Sequence, residues 1–187
     1  APAHHAAIKH TIGPRRKIGV RTLFNVLGPL TNPAGVPAQL LGVFDVELLT
    51  PLAEVLQRLG SRHVLVVHSR DGLDEISLSD RTEVAELKDS LIRRYSIQPE
   101  DFGLRRAPLD AIRAPGPEES LALIRGVLED QPGPARDIVT LNAGAAIYAA
   151  GRASSLAEGV TLADQVIADG SARKRLDQLI ILTQSFA

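Results

Sequence analysis

Residues 63–75, which read HVLVVHSRDGLDE, decide the fold of this chain. Four apolar residues in a row, Val64–Val67, predict a central strand that is covered on both faces. Ser69–Leu73 is typical of a turn, and Asp71-Gly72 lies at its centre. Since helix and strand patterns alternate along the chain around this strand, the sequence predicts an α/β fold.

The segments on either side of this strand alternate between strand and helix patterns. In Glu47–Leu59 apolar residues recur at helical spacing, and Gly60 suits the left-handed position that ends a helix. Gln98–Pro117 is rich in proline and predicts a loop. The other predicted elements are a helix Leu23–Leu27, capped by Thr22 and stopped by Gly28-Pro29; strands Gln39–Phe44, Thr82–Leu87 (half-exposed) and Leu91–Ile97; and helices Glu118–Leu128, Ala135–Ala150, Leu156–Ala168 (with a capping box from Ser154-Ser155 and Glu158) and Ser171–Thr183. We expect residues 1–187 to form one domain, a layered sheet flanked by helices.

The composition of the 187 residues is globular and excludes several classes of function. Apolar residues make up 44% and charged residues 23%, which excludes a disordered tail. Aromatic residues account for 3%, too few for a base-stacking surface, and the absence of Cys excludes disulfides and cysteine-ligated zinc. No apolar run approaches the roughly 20 residues of a membrane helix. We expect a cytoplasmic protein that does not bind membranes.

Charge is distributed unevenly along the chain. Residues 1–44 contain five Lys or Arg and no Asp or Glu, so that the other 16 cations and all 22 acids come later. A basic segment of this kind attracts anions such as small ligands, phosphates or nucleic acid, or it is a solvated face. Charge alone leaves both interpretations open.

The acidic residues that follow the buried strand are the first candidate for chemistry. Asp71, Asp74 and Glu75 place three carboxylates within five residues, directly after the predicted strand. Ligands in open α/β sheets bind at the carboxyl ends of strands, and Mg²⁺ accepts a few carboxylate oxygens while keeping positions for water and phosphates. The alternative is a solvated acidic turn in which Asp71-Gly72 makes the bend.

Other candidates lie in the first 33 residues. Arg15-Arg16-Lys17 could clamp a carboxylate or phosphate, since the guanidinium fork of Arg grips carboxylates with two bonds, or it could be a solvated run. The spacing of His4, His5 and His10 is poor for a helical metal site. Gly28–Pro33 could be a pre-shaped loop that a ligand approaches closely, or an ordinary turn. The motifs GxGxxG, GxxxxGK[ST], HExxH and GxSxG are absent from the sequence.

Taken together, these segments resemble the anthranilate phosphoribosyltransferase family. The resemblance runs in order along essentially all 187 residues, and its most specific part is RRKIGVRTLFNVLGPLTNP. The matching segments are His4–His10, Arg15–Pro33, Val66–His68, Asp71–Ser77, Pro99–Leu104, Leu141–Ala143 and the helix after Ser154-Ser155-Leu156.

This resemblance implies a fold, a reaction and a set of site residues. It implies the carboxyl-terminal α/β domain of a nucleoside phosphorylase/phosphoribosyltransferase-like fold, and transfer of phosphoribosyl from phosphoribosyl pyrophosphate to anthranilate in tryptophan biosynthesis. It assigns Mg²⁺ to Asp74 and Glu75 and names no catalytic acid or base. The positions that match the family's anthranilate site are Arg15, which contacts the substrate, and the channel-lining His5, Gly28 and Pro29.

The same resemblance implies that family features are missing from these 187 residues. Family members have an N-terminal helical domain, which is also used to form a homodimer, and first strands that carry a GTGGD loop around the pyrophosphate. We therefore expect a piece of a larger enzyme that is inactive by itself, with its oligomeric state left open.

Two alternatives remain beside this interpretation. One is a non-catalytic relative that binds nucleic acid through the basic first segment, although an acidic pair such as Asp74-Glu75 would repel a phosphate backbone without metal. The other is a relative of pyrimidine nucleoside phosphorylase, which shares the fold but which the segment Arg15–Pro33 fits poorly.

Overall fold

The computed structural model describes residues 24–32 and 34–186, with side chains from residue 27 onward. The chain divides into two compact units, residues 1–37 and residues 38–187, and each is described by itself. The expectation of one domain over 1–187 stays a prediction.

The second unit is built on a four-stranded mixed sheet. The strands are β1 (Ala38–Gly42), β2 (His63–Ser69), β3 (Thr82–Lys88) and β4 (Leu91–Ile97), and they are arranged in that order. β1 is parallel to β2, whereas β2, β3 and β4 are antiparallel to one another in turn. The run Val64–Val67 is fully buried in β2, so the predicted central strand is confirmed.

Five of the six α-helices among the described residues belong to the same unit as this sheet. In chain order the α-helices are α1 (Phe24–Leu30, in the first unit), α2 (Leu49–Arg58), α3 (Pro117–Leu128), α4 (Pro134–Ala149), α5 (Leu156–Ala168) and α6 (Ser171–Gln184), with 3-10 helices at Val46–Leu48, Pro99–Phe102 and Leu109–Ile112. None of the helices in 24–32 and 34–186 has the length and apolar character needed to cross a membrane. The predicted layered α/β architecture is confirmed.

Both faces of the sheet are covered. Leu65 and Val67 of β2 share a core with Ile138 and Leu141 of α4, while α2 contacts β2 and β3. Because successive side chains of a strand point to opposite faces, burial of the whole run requires both layers. The prediction that strand 82–87 is half-exposed is wrong, since β3 lies inside the sheet between β2 and β4 and none of its residues is exposed.

The prediction that Gly28-Pro29 stops the first helix is also wrong. Helix α1 continues through both residues to Leu30. Proline lacks the backbone N–H that would donate to the carbonyl four residues earlier, so the helix contains Pro29 at the cost of one hydrogen bond. The next residue, Thr31, donates both its backbone N–H (3.0 Å) and its hydroxyl (2.9 Å) to the carbonyl of Leu27, which closes the turn.

Helices α4 and α5 cross at two glycines. A Cβ on Gly144 would lie 2.5 Å from both the Cα and the N of Val160, and one on Gly159 would lie 2.3 Å from the carbonyl oxygen of Gly144. These distances are shorter than any non-bonded carbon contact, so the two backbones meet directly. The helix pair that covers the sheet therefore depends on the absence of these two side chains.

We expect Gly144→Ala to destabilise the protein by about 1–3 kcal/mol, the usual cost of overpacking, despite the better helix propensity of Ala. Gly126→Ala in α3 is the matched control, because its Cβ would meet only the flexible side chain of Gln131. Urea unfolding midpoints measure both changes. A Gly144→Ala protein as stable as its parent would show that the crossing can open at no cost.

Candidate functional site

The acidic segment lies where the sequence predicts it, directly after β2. The backbone N–H of Gly72 donates to the carbonyl of Ser69 (3.0 Å), and Ser69 N–H donates to the carbonyl of Leu73 (3.0 Å). Gly72 has a φ of +91°, in the region that favours glycine. The chain thus turns sharply at the carboxyl end of β2, which is also the carboxyl end of its parallel neighbour β1.

Asp71 is a structural residue of this turn. Its carboxylate accepts hydrogen bonds from the hydroxyl of Ser77 (2.5 Å), the hydroxyl of Ser79 and the backbone N–H of Leu73 (3.0 Å). Partial burial acts to raise the pKa of Asp71, but these hydrogen bonds to the charged form outweigh it and the pKa is lowered. For Asp71, the alternative of an acidic turn is therefore correct.

Asp74 and Glu75 differ from Asp71 because their carboxylates are free. Both residues are exposed, and neither carboxylate forms a hydrogen bond or an ion pair with the part of the chain that the structure describes. Although Glu75 is exposed as a whole, burial of its carboxyl group raises its pKa, and the nearby negative charge of Asp74 raises it further. The two acids repel each other in the absence of a cation.

The donor set fits a divalent cation that completes its shell elsewhere. Within residues 24–32 and 34–186 no group of three or more His, Cys, Asp or Glu side chains could enclose a metal ion. Mg²⁺ is commonly held by one or two carboxylates together with water and substrate phosphates. Two free carboxylates match that pattern, whereas a structural zinc or a calcium cage would require more ligands.

The backbone around the acidic pair is held at two points. At Asp74, a Cβ on Gly42 of β1 would lie 1.6 Å from the carbonyl oxygen, so the segment crosses directly over the end of this strand. At Ile76, Asn142 of α4 hydrogen-bonds to the backbone. The sequence interpretation assigned no site role to Gly42 or Asn142. A glycine inside a strand pattern is the signal that could have indicated the first.

An apolar cavity of about 470 Å³ opens beside Glu75. Leu73 and Glu75 lie on one side of it, and the other side is formed by the segment around Ile112 and by helices α3 and α4. Glu75 is its sole charged lining residue among those described, and Ser120 supplies a hydroxyl. This apolar surrounding accounts for the partial burial of the Glu75 carboxyl group.

The other predicted site residues lie either outside the described residues or in the first unit. His5 and Arg15 lie outside the described residues, as do His4, His10, Arg16 and Lys17. Gly28 and Pro29 are half-buried in α1 of the first unit. The structure brings Asp74 and Glu75 together, and the assignments of His5, Arg15, Gly28 and Pro29 to an anthranilate site stay predictions.

Comparison with known proteins connects this geometry to a family. Residues 1–173 match the model of the glycosyl transferase family, a/b domain. The chain is 61% identical over 185 residues to the anthranilate phosphoribosyltransferase of Thioalkalivibrio sulfidiphilus, covering 99% of this chain and 55% of that protein. It is 59% identical over 187 residues to the enzyme of the same name from Methylococcus capsulatus, which covers 100% of this chain and 55% of that enzyme.

Solved structures agree with these sequence matches. The crystal structure of anthranilate phosphoribosyltransferase from Thermus thermophilus has a TM-score of 0.86 at 48% identity, over 93% of this chain and 51% of that one. The Saccharomyces cerevisiae enzyme in complex with PRPP and Mg has a TM-score of 0.86 at 28% identity, over 97% of this chain and 52% of that enzyme.

The resemblance inferred from the sequence is confirmed by these matches. The chain spans about half the length of the curated relatives it matches. The family model matches residues 1–173, and the fold agrees with the solved structure from Thermus thermophilus. The chain belongs to the glycosyl transferase family and contains its a/b domain.

Proposed function

We propose that the whole protein to which this chain belongs transfers the phosphoribosyl group of phosphoribosyl pyrophosphate to the amine of anthranilate. The single observation that carries the proposal is the pair of free carboxylates, Asp74 and Glu75, at the carboxyl ends of two parallel strands. Relatives at 61% and 59% identity bear the name of this activity, and one solved relative contains PRPP and Mg. This chain would contribute the magnesium-holding half of the site.

The chemistry of the leaving group explains the acidic pair. Asp74 and Glu75 would hold Mg²⁺ through their carboxylate oxygens. When bound, the cation neutralises negative charge that develops on the departing pyrophosphate. Since neither side chain is used in a hydrogen bond within the described residues, both are available as ligands without a structural cost. Asp71, by contrast, keeps its three donors and holds the turn that carries the pair.

The acceptor is bound by other residues in this proposal. Arg15 grips the carboxylate of anthranilate, which lies ortho to the amine, and so aims the nucleophile at the ribose carbon. His5, Gly28 and Pro29 line the path of anthranilate. We assign no general base, because positioning and electrostatic stabilisation supply most of the rate when a neutral amine attacks an oxocarbenium-like carbon.

The nucleic-acid-binding alternative has no support in the comparisons, where relatives at 61%, 59% and 55% identity are anthranilate phosphoribosyltransferases. The cytoplasmic location, which the composition suggests, stays a prediction. The homodimer, which the resemblance implies, also stays a prediction.

The test is an assay of the whole protein as it is encoded. Anthranilate is fluorescent, and its consumption can be followed by the loss of that fluorescence. We expect consumption only when phosphoribosyl pyrophosphate and Mg²⁺ are both present, and none with the 187-residue chain alone. Anthranilate left unconsumed by the whole protein under these conditions would contradict the proposed function, and turnover by the chain alone at a comparable rate would contradict the division of the site.

A further inference from the structure

We infer that Asn142 is a positioning residue that fixes the backbone at Ile76 and thereby holds the acidic pair at the end of the sheet. The inference rests on the proposed function only in that it treats Asp74 and Glu75 as cation ligands. Asn142 itself touches no reacting atom. It would act through the peptide group that directly follows Glu75.

The contact is made at two points on one residue. The Oδ1 atom of Asn142 accepts a hydrogen bond from the N–H of Ile76 (2.9 Å), and its Nδ2 donates to the carbonyl of Ile76 (2.8 Å). A second donation from Nδ2 goes to the carbonyl of Ile138, one helical turn earlier (3.0 Å). The carboxamide therefore pairs with Ile76 as a neighbouring strand would, and its plane is fixed by its own helix.

Few side chains could replace this arrangement. A carboxylate of the same size would accept from Ile76 N–H but would face the Ile76 carbonyl without a donor, and an aliphatic side chain would leave both groups unpaired. Asn is also among the weaker helix formers, because its side chain competes for backbone hydrogen bonds. Its position in the middle of α4 thus opposes local preference, and its contact with Ile76 explains why it is there.

The consequence for the acidic pair follows from its neighbours. The Ile76 side chain is 1% exposed and packs in the core with Leu141, the residue beside Asn142. At the other end of this short segment, the backbone of Asp74 abuts Gly42. The three residues 74–76 are therefore held at both ends while the two carboxylates stay free, and release of Ile76 would allow Glu75 to move relative to Asp74.

The first experiment uses the whole protein without substitution. Hydrogen exchange of backbone amides, measured by NMR, should show the Ile76 N–H strongly protected. Protection is expected because Ile76 is buried and its N–H donates to the half-buried side chain of Asn142 rather than to water. An Ile76 amide that exchanges as fast as an exposed loop amide would mean that the contact does not persist in solution, and would overturn the inference whether or not the protein is an enzyme.

The second experiment compares two substitutions in α4. Asn142→Leu removes the contact with Ile76 at similar volume, and Thr140→Val is the matched control. Thr140 is 2% exposed, and its hydroxyl has no hydrogen-bond partner among the described residues, so its removal should leave the acidic pair in place. The readout is Mn²⁺ binding to each whole protein in the presence of phosphoribosyl pyrophosphate, followed by electron paramagnetic resonance without anthranilate. We expect at least tenfold weaker Mn²⁺ binding in Asn142→Leu and parent-like binding in Thr140→Val.

The outcomes separate the two claims. Equal Mn²⁺ affinity in Asn142→Leu and the parent would contradict the positioning role alone, as would equal weakening in both variants. A parent protein that binds no Mn²⁺ under these conditions would contradict the proposed function together with this inference. Should Asn142→Leu fail to fold, the exchange rate of the Ile76 amide in the parent decides the matter.

Discussion

Gly42→Ala is expected to lower phosphoribosyl transfer by the whole protein about 100-fold or more and to destabilise it by about 1–3 kcal/mol. The added Cβ would lie 1.6 Å from the carbonyl oxygen of Asp74 and 2.6 Å from its carbonyl carbon. Both are backbone atoms, so no side-chain rotation relieves the overlap. Either β1 moves away from β2 or the segment that carries the acidic pair moves, and a displacement of about 1 Å at a reacting centre can cost 100-fold in rate.

Gly116→Ala is the matched control for this substitution. Gly116 is also an extended glycine, with a φ of −154°, but its Cβ would meet only the flexible carboxylate of Glu119 at 2.8 Å. We expect a parent-like rate from the control and a loss of stability below about 1 kcal/mol, since Gly116 is the N-cap of α3 and Ala is a poorer N-cap than Gly. A Gly42→Ala protein with parental kcat and unfolding midpoint would show that Asp74 does not cross the end of β1 as closely as described.

The sequence predicted the main elements well because their patterns are local. Four apolar residues in succession identified β2, and the helical spacing of apolar residues gave α5 its observed bounds, Leu156–Ala168. The N-cap of that helix was also predicted, since Ser155 accepts a hydrogen bond from Glu158 N–H (3.1 Å). The glutamate carboxylate accepts from Ser154 N–H (2.7 Å) rather than from Ser155, one residue earlier than in a standard capping box.

The sequence does not show which carboxylates of the turn lack a hydrogen-bond partner. Asp71 and Asp74 look alike in a list of residues, and only the return of the chain at Ser77 and Ser79 engages the first of them. Asn142 is 66 positions away from Ile76, so no local pattern connects them. Close approach of Gly42 to Asp74 depends in the same way on how a strand and a later turn meet in space.

Asp74→Asn is expected to reduce kcat/KM at limiting Mg²⁺ about 100-fold or more, because stabilisation of the leaving pyrophosphate by a cation is worth several kcal/mol. An amide keeps the size of the side chain but loses its charge and one acceptor oxygen. It also removes the neighbouring charge that helps to raise the pKa of Glu75. Because Asp74 forms no hydrogen bond or ion pair in the described structure, we expect the unfolding midpoint to stay close to that of the parent.

Glu54→Gln is the control for removal of one negative charge. Glu54 is exposed on α2, and its carboxylate has no hydrogen bond or ion pair in the part of the chain that the structure describes. We expect this variant to retain the parental dependence on Mg²⁺.

The decisive measurement is therefore a Mg²⁺ titration of anthranilate consumption by the whole protein, made in parallel for the parent, Asp74→Asn and Glu54→Gln. We predict that Asp74→Asn alone shifts to a much higher Mg²⁺ midpoint and a lower maximal rate. An Asp74→Asn protein with the parental midpoint and rate would contradict a cation-binding role for the acidic pair.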